Sequence, residues 1–409
     1  MYVLASLAQG VSVIRQPLRS DDTDGLLGAI ETAGVIVRPE HDVIRINGSV
    51  GRYPGGGEVN LGAGGTPARF MIAAATCAGL PMKVDGNHRM RERPVAQGVD
   101  VLRALGATIA YVEEEGRLPV LVTPGEGLPG GRLAVGSTAS SQFISAAMLI
   151  APFTRKGVEI VFDDEPTSSS YLELTAGCLC RIGVNLELDR SEGRIHRIQI
   201  PRQDVAGFDL AIEADASSAI YPAALAAMLP DSQIEIHGLP AESSQPDLAA
   251  LKALRQIGAT VNTYQDKVLV KSGDLKGGFD LDCSLFPDAA VMLAVLASRC
   301  SGTSQLRGLA TLRVKETDRI AAVAQELRRF GCTVAEGPDE MMITPGIDAG
   351  DEVVVRTYED HRMAMAFAIL GAVRGNVGIE NPDCANKSHP GFYQELALLT
   401  GCEQSGDTA

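Results

Sequence analysis

The 409-residue sequence predicts an α/β fold of six repeated units, three in each of two domains. Two independent markers carry that prediction. The first is a helical stripe that closes on glycine and is followed by a β-rich run. It occurs at Gly34, Gly106, Gly183, Gly258, Gly331 and, more weakly, Gly401, at separations of 72, 77, 75, 73 and 70 residues. The second is a small polar or turn residue that opens an Ala-rich helix at Thr66, Ser140, Asp215, Asp288 and His361, spaced by 73 to 75 residues. A shared period near 74 is too long for a solenoid repeat and suits a block of two helices and several strands.

Taken in chain order, Met1 to Ala8 is apolar, and the period places its helix start about eight residues before Met1. It therefore reads as the C-terminal half of a helix, with an N-terminal piece missing. Ile30 to Gly34 closes the next helix, before the strand-like Val35-Ile36-Val37. A glycine-rich Leu61-Gly62-Ala63-Gly64-Gly65 leads into a helix at Thr66-Pro67. His88 to Arg93 reads as a turn before a helix that starts at Pro94 and closes at Gly106. Ser140-Ser141 opens the third unit's helix. The midpoint of the six units falls near Leu210 to Glu213, which gives domains 1–212 and 213–409. Beyond it, Asp215-Ala216-Ser217 opens a helix, and Gln233 to Ile236 and Lys267 to Val270 alternate as strands do. Ile320, Val323, Leu327 and Phe330 form one apolar stripe at helical spacing.

Composition narrows the function. A net charge of -15 argues against non-specific nucleic-acid binding, which needs a basic field, and 4% aromatic residues with no Trp leave few platforms for stacking bases. No apolar run reaches the roughly 18 residues of a membrane span. The eight Cys contain no Cys-x-x-Cys pair, so a zinc site and a secreted disulfide scaffold are both disfavoured; reduced thiols in a cytoplasmic protein are expected.

Against this acidic background the bases gather at helix starts. His88 to Pro94 carries Arg89, Arg91 and Arg93; Arg313 to Arg319 carries three bases and two acids; Asp360-His361-Arg362 opens the fifth helix; Lys387 follows. Free N–H groups and the dipole at a helix N-terminus, joined by fixed cations, suit a small, multiply charged anion. Taken singly, each motif also fits a cap, a solvated turn or a surface ion pair. The glycine-rich loop is neither a Walker A nor a dinucleotide fingerprint.

Together the motifs resemble the EPSP synthase (3-phosphoshikimate 1-carboxyvinyltransferase) family over about Leu4 to Leu399. They are Leu61 to Thr66 with Arg69, Arg89 to Pro94, Ser140-Ser141-Gln142, Asp215 to Ser218, Pro287 to Ala290, Lys315 to Arg319, Asp360 to Ala364, and Lys387. The resemblance implies a two-domain inside-out α/β barrel of six βαβαββ-type units that closes over its substrates. It implies transfer of the carboxyvinyl group of phosphoenolpyruvate to the 5-hydroxyl of shikimate 3-phosphate, with release of phosphate, on the way to chorismate and the aromatic amino acids. Asp288, Glu316 and Lys387 take the catalytic roles. Ser140, Ser141, Gln142, Ser168, Tyr171, Asp288, Thr311 and Lys315 contact shikimate 3-phosphate. Gly65, Arg89, Gln142, Arg319, Arg362 and Lys387 hold phosphoenolpyruvate, the site that the inhibitor glyphosate occupies in this family. No metal and no cofactor is implied, and a cytoplasmic monomer without nucleic-acid or membrane partners is expected.

Three departures stand out. Ala63 and Thr311 occupy positions where the family usually or often has Asn. The Lys-Ser-x-x-x-Arg segment with which the family begins would fall before Met1 and is absent. Two competing readings follow: the related UDP-N-acetylglucosamine enolpyruvyl transferase, whose mobile-loop Cys has no counterpart in Arg89 to Pro94, and a catalytically impaired, truncated ligand-binding remnant.

Overall fold

All six glycines that close the expected helices adopt left-handed backbone, with φ between +66° at Gly401 and +118° at Gly258. Any other L residue would be strained there, so glycine sets where each helix stops. The computed structural model describes residues 1–136, 138–275 and 277–401. The chain divides into two compact units, Met1–Ile212 and a second from Glu213 onward.

The first unit holds α1 (Tyr2–Leu7), α2 (Asp21–Thr32), α3 (Gly65–Ala75), α4 (His88–Glu92), α5 (Ala96–Ala104), α6 (Gln142–Ile150) and α7 (Ser169–Arg181). Its three four-stranded sheets share one order. Gly57–Asn60 runs parallel to Met82–Asp85; next comes Val120–Thr123 and then Thr108–Tyr111, each antiparallel to its neighbour. The same order recurs in Gly131–Val135, Val158–Phe162, Arg194–Ile200 and Glu187–Ser191. The third sheet closes the unit on itself: Asp209–Ala211 supplies the parallel edge to Val11–Arg15, and Arg15 donates twice to Asp209 at 2.7 Å. Against these sheets pack helices whose small residues permit close approach. Nine of the eleven residues of α3 are buried.

The second unit holds α8 (Ala216–Met228), α9 (Leu248–Ile257), α10 (Ala290–Ala297), α11 (Arg319–Arg329), α12 (His361–Arg374) and α13 (Phe392–Thr400). Asp280–Asp282, Ser304–Arg307, Met341–Thr344 and Thr333–Glu336 repeat the sheet order of the first unit. Gln233–His237, Lys267–Lys271 and Thr260–Thr263 form an antiparallel sheet, and Val353–Val355 pairs parallel with Val377–Ile379. Helix α10 is apolar all round and wholly buried, as a core helix must be. Helix α11 is amphipathic and buries Ile320, Val323 and Leu327.

Two local expectations differ from the structure. His88 to Glu92 is not a turn but a short helix, because Asn87 accepts the Met90 N–H at 3.0 Å and caps it. Asp288 does not cap α10. It lies in the preceding 3-10 turn Pro287–Ala289, and its carboxylate is engaged by side chains instead.

Candidate active site

In the first unit the N-termini of α3 and α6 are tied together. The Gln142 amide Nε2 donates to Thr66 Oγ1 at 2.8 Å, while its Oε1 accepts from Arg69 at 2.5 Å. Both ends of the amide are thus fixed, and two positive helix termini lie side by side. Arg69 also donates to the Pro94 carbonyl at 3.3 Å and stacks over the Phe143 ring. Ser140 Oγ accepts the Gln142 N–H at 3.3 Å, which turns it toward the start of α6. Thr167 Oγ1 donates to the Thr138 carbonyl, which binds the Ser168 loop to the Ser140 loop. Ser168 precedes α7 in left-handed backbone, φ +51°, without using its hydroxyl as a cap, and Tyr171 follows in the first turn of that helix. Ser140, Ser141, Gln142, Ser168 and Tyr171 therefore belong to linked loops and helix starts of one unit.

Gly65 is placed by a close approach. A methyl group built there would lie 2.6 Å from Nη1 of Arg93, whose guanidinium packs against the Gly65 backbone. Arg93 is buried, whereas Arg89 is partly exposed and pairs with Glu92 at 2.6 Å. The structure thus brings Arg93, which had no assigned role, to Gly65. The physical reason is the end of α4. The chain turns to extended backbone at Arg93, the residue before Pro94, so Arg93 lies beyond the helix that carries Arg89.

The second unit gathers the charges. Asp288 accepts from Arg319 Nη1 at 2.7 Å and lies 3.3 Å from Lys315 Nζ and 3.4 Å from Arg362 Nη2. Arg319 is 1% exposed; its other nitrogens donate to Asp360 at 2.7 and 3.1 Å and to Glu316 at 2.8 Å. Glu316 reaches Lys387 at 3.3 Å through its second oxygen. Asp360 also accepts the Arg362 N–H at 2.9 Å and so caps α12. Thr311 contributes a hydroxyl that is buried without a hydrogen-bond partner among the described residues. Lys315, Arg319, Arg362 and Lys387 thus face Asp288, Glu316 and Asp360, an excess of one positive charge.

Burial alone would raise the Asp288 carboxyl, but Lys315, Arg362 and Arg319 outweigh it and hold the group well below the usual carboxylate range. Burial lowers Lys315, partly offset by Asp288. Burial, with Lys387 and Arg362 nearby, keeps His361 neutral well below its ordinary pKa. So many desolvated charges do not make an economical stabilising device, and their convergence makes the cluster the candidate functional site of the second unit. Among the described residues no group of His, Cys, Asp and Glu forms a metal site.

Other candidates fall elsewhere. Arg313 is committed to Asp318 at 2.8 Å and to the Gly337 carbonyl, so it braces the α11 cap. Lys315 and Glu316 are not a surface pair; each serves a different partner. Cys77, the thiol nearest the Arg89 segment in sequence, is buried, and burial pushes its pKa up to about 11. A reactive-loop cysteine would need the opposite environment. Sequence pattern alone gives Asp360 and Arg93 no role beyond membership of their motifs. The signals were present: an acid directly before a helix, and an arginine fixed by the following proline.

The EPSP synthase (3-phosphoshikimate 1-carboxyvinyltransferase) family model matches residues 1–396. The chain is 37% identical over 402 residues to the 3-phosphoshikimate 1-carboxyvinyltransferase of Cellvibrio japonicus, covering 97% of this chain and 93% of that one. It is 36% identical to that of Methanoculleus marisnigri, covering 96% and 92%. In structure it is similar to EPSP synthase from Acinetobacter baumannii (TM-score 0.76, 22% identity, 97% and 91% covered). It is also similar to the enolpyruvyl transferase NikO from Streptomyces tendae (TM-score 0.77, 16% identity, 97% and 91% covered), and these likenesses establish the α/β fold. On the near-full-length match in sequence, the chain belongs to the EPSP synthase family.

Proposed function

We propose that the protein transfers the carboxyvinyl group of phosphoenolpyruvate to the 5-hydroxyl of shikimate 3-phosphate and releases phosphate. The observation that carries this reading is Asp288, an ionised carboxylate held among Lys315, Arg319 and Arg362 beside the Arg319–Glu316–Lys387 chain. The reaction needs a proton acceptor at the attacking hydroxyl, a proton donor at the methylene carbon, and fixed positive charge on carboxylate and phosphate.

Asp288 takes the hydroxyl proton as the oxygen bonds to the central carbon of phosphoenolpyruvate. Glu316 delivers a proton to the methylene carbon. It takes a proton back from the resulting methyl group as the bond from the central carbon to the phosphate oxygen breaks, the double bond re-forms and phosphate leaves. Lys387, 3.3 Å from Glu316, passes protons to it and binds the anion. For phosphoenolpyruvate the proposed contacts are Arg319, Arg362 and Lys387 in the second unit and Gly65, Arg89 and Gln142 in the first, with Arg93 added because its guanidinium packs against Gly65. Ser140, Ser141, Gln142, Ser168, Tyr171, Thr311 and Lys315 hold shikimate 3-phosphate. The depressed pKa makes Asp288 a weak base in the empty site. Substrate anions neutralise the cations around it and raise its proton affinity when both are bound.

The test is phosphate release from phosphoenolpyruvate. It is expected only when shikimate 3-phosphate is added, and to be lost in Asp288→Asn. Release with UDP-N-acetylglucosamine instead would overturn the choice of acceptor, and no release with either would overturn the transfer.

A further inference from the structure

Helix α11 touches the segment before α12 at two points. At its N-terminus Arg319 grips Asp360. Seven residues later, two turns along the same face, stands Glu326, a carboxylate with no solvent exposure. It accepts from the Tyr358 hydroxyl at 2.8 Å, from the Arg356 backbone N–H at 3.4 Å and from Arg329 Nη1 at 2.5 Å. Arg329 bridges onward to the Val354 carbonyl at 2.9 Å. This buried carboxylate accepts from a hydroxyl, a backbone amide and a guanidinium, and two of those three bonds go to one short stretch of chain, Arg356 to Tyr358.

That stretch is strained. Tyr358 and Glu359 are consecutive non-glycine residues in left-handed backbone, with φ +54° and +56°. L residues enter that region at a cost, and two in succession persist only where the surroundings enforce them. Immediately after them comes Asp360, wholly buried, whose carboxylate fixes both the Arg319 guanidinium and the Arg362 N–H in the first turn of α12. The turn therefore sets the register at which Asp360 meets Arg319. The Tyr358 hydroxyl, pushed up to about 12 by burial and the Glu326 bond, stays a donor throughout the working pH range.

We propose that Glu326 is a positioning residue for the anion-binding cluster: through Tyr358 and the Arg356 amide it holds the turn at Tyr358 and Glu359 in left-handed backbone, and the turn in turn presents Asp360 to Arg319 and Arg362. This rests on the reaction proposed above for that cluster. Glu326 touches no substrate; it acts through the backbone.

The test uses a glycine rescue. Glu326→Gln keeps volume but changes the charge that gathers Arg329 and Tyr358. It is expected to lower kcat/KM for phosphoenolpyruvate by about tenfold or more, since small misplacement of a charged clamp is costly. Glu359 is exposed, and glycine there enters left-handed backbone without strain. In a Glu359→Gly background, Glu326→Gln is therefore expected to cost only about twofold, a coupling that a merely structural loss would not show. The second readout is amide exchange in the 356–366 peptide, measured by mass spectrometry. It should quicken in Glu326→Gln and slow again in the double variant. An unchanged kcat/KM and exchange rate in Glu326→Gln would overturn the proposal, as would a loss that Glu359→Gly does not relieve. Were the unaltered protein to transfer no carboxyvinyl group, the reaction would be wrong, and the exchange data would still decide whether Glu326 holds the turn.

Discussion

Asp288 shows how a single side chain acquires its role from its surroundings. Its sequence context, directly after Pro287, suits a helix cap, yet in the fold three cations converge on it and none of its oxygens serves α10. Removing the titratable group with Asp288→Asn is expected to lower kcat by about a hundredfold or more in the phosphate-release assay. Glu316→Gln should likewise cut turnover much more than it weakens shikimate 3-phosphate binding, measured by calorimetry. Intact turnover would reduce Glu316 to a tie between Arg319 and Lys387. Gly65→Ala places a methyl group 2.6 Å from the Arg93 guanidinium, so the guanidinium must move. A raised KM for phosphoenolpyruvate and weaker inhibition by glyphosate are both expected; equal values for the two forms would show that neither ligand meets this loop.

At the scale of elements, the glycines that end the helices differ in what they tolerate. Gly331 has φ +79°, and an added Cβ would lie 2.3 Å from the Ile347 carbonyl oxygen, whereas Gly183 has φ +84° and open space around it. Gly183→Ala is expected to cost about 1 kcal/mol for the left-handed backbone alone, and Gly331→Ala several-fold more, because the backbone must also shift. Comparing their urea midpoints checks this. These stops were legible in the sequence because a left-handed residue leaves a compositional mark. The site was less legible at α4. Both Arg89 and Arg93 belong to one basic run, and only the end of the short helix decides which is buried. Glu92, three residues after Arg89, was the clue that Arg89 had a partner. Asp360 was visible as a cap, but its grip on Arg319 joins residues 41 positions apart, which no local pattern encodes.

For the whole molecule, the 74-residue period carried the α/β class and the repeated block of helices and strands; the strand order that four of the six sheets share among the described residues was not legible in it. The pairing of Asp209–Ala211 with Val11–Arg15, remote in sequence, left no such trace. Stability against acid is also a property of the whole chain. His361 has a folded pKa well below its unfolded value, so the unfolded state takes up the proton first. Its contribution is fully present above about pH 6.5 and is lost as pH falls further. The melting temperature should therefore decline below that pH, and His361→Asn should flatten the decline whatever it does to the level; an unchanged slope would remove His361 from the account. The claim on which the rest depends is that the second unit's charge cluster performs carboxyvinyl transfer. The most direct measurement is phosphate release with both substrates present, comparing kcat with kcat/KM across pH. The acid limb is expected to lie higher in kcat than in kcat/KM for phosphoenolpyruvate, because bound anions raise the Asp288 pKa, and to disappear in Asp288→Asn. Identical acid limbs, or a limb that survives in Asp288→Asn, would contradict it.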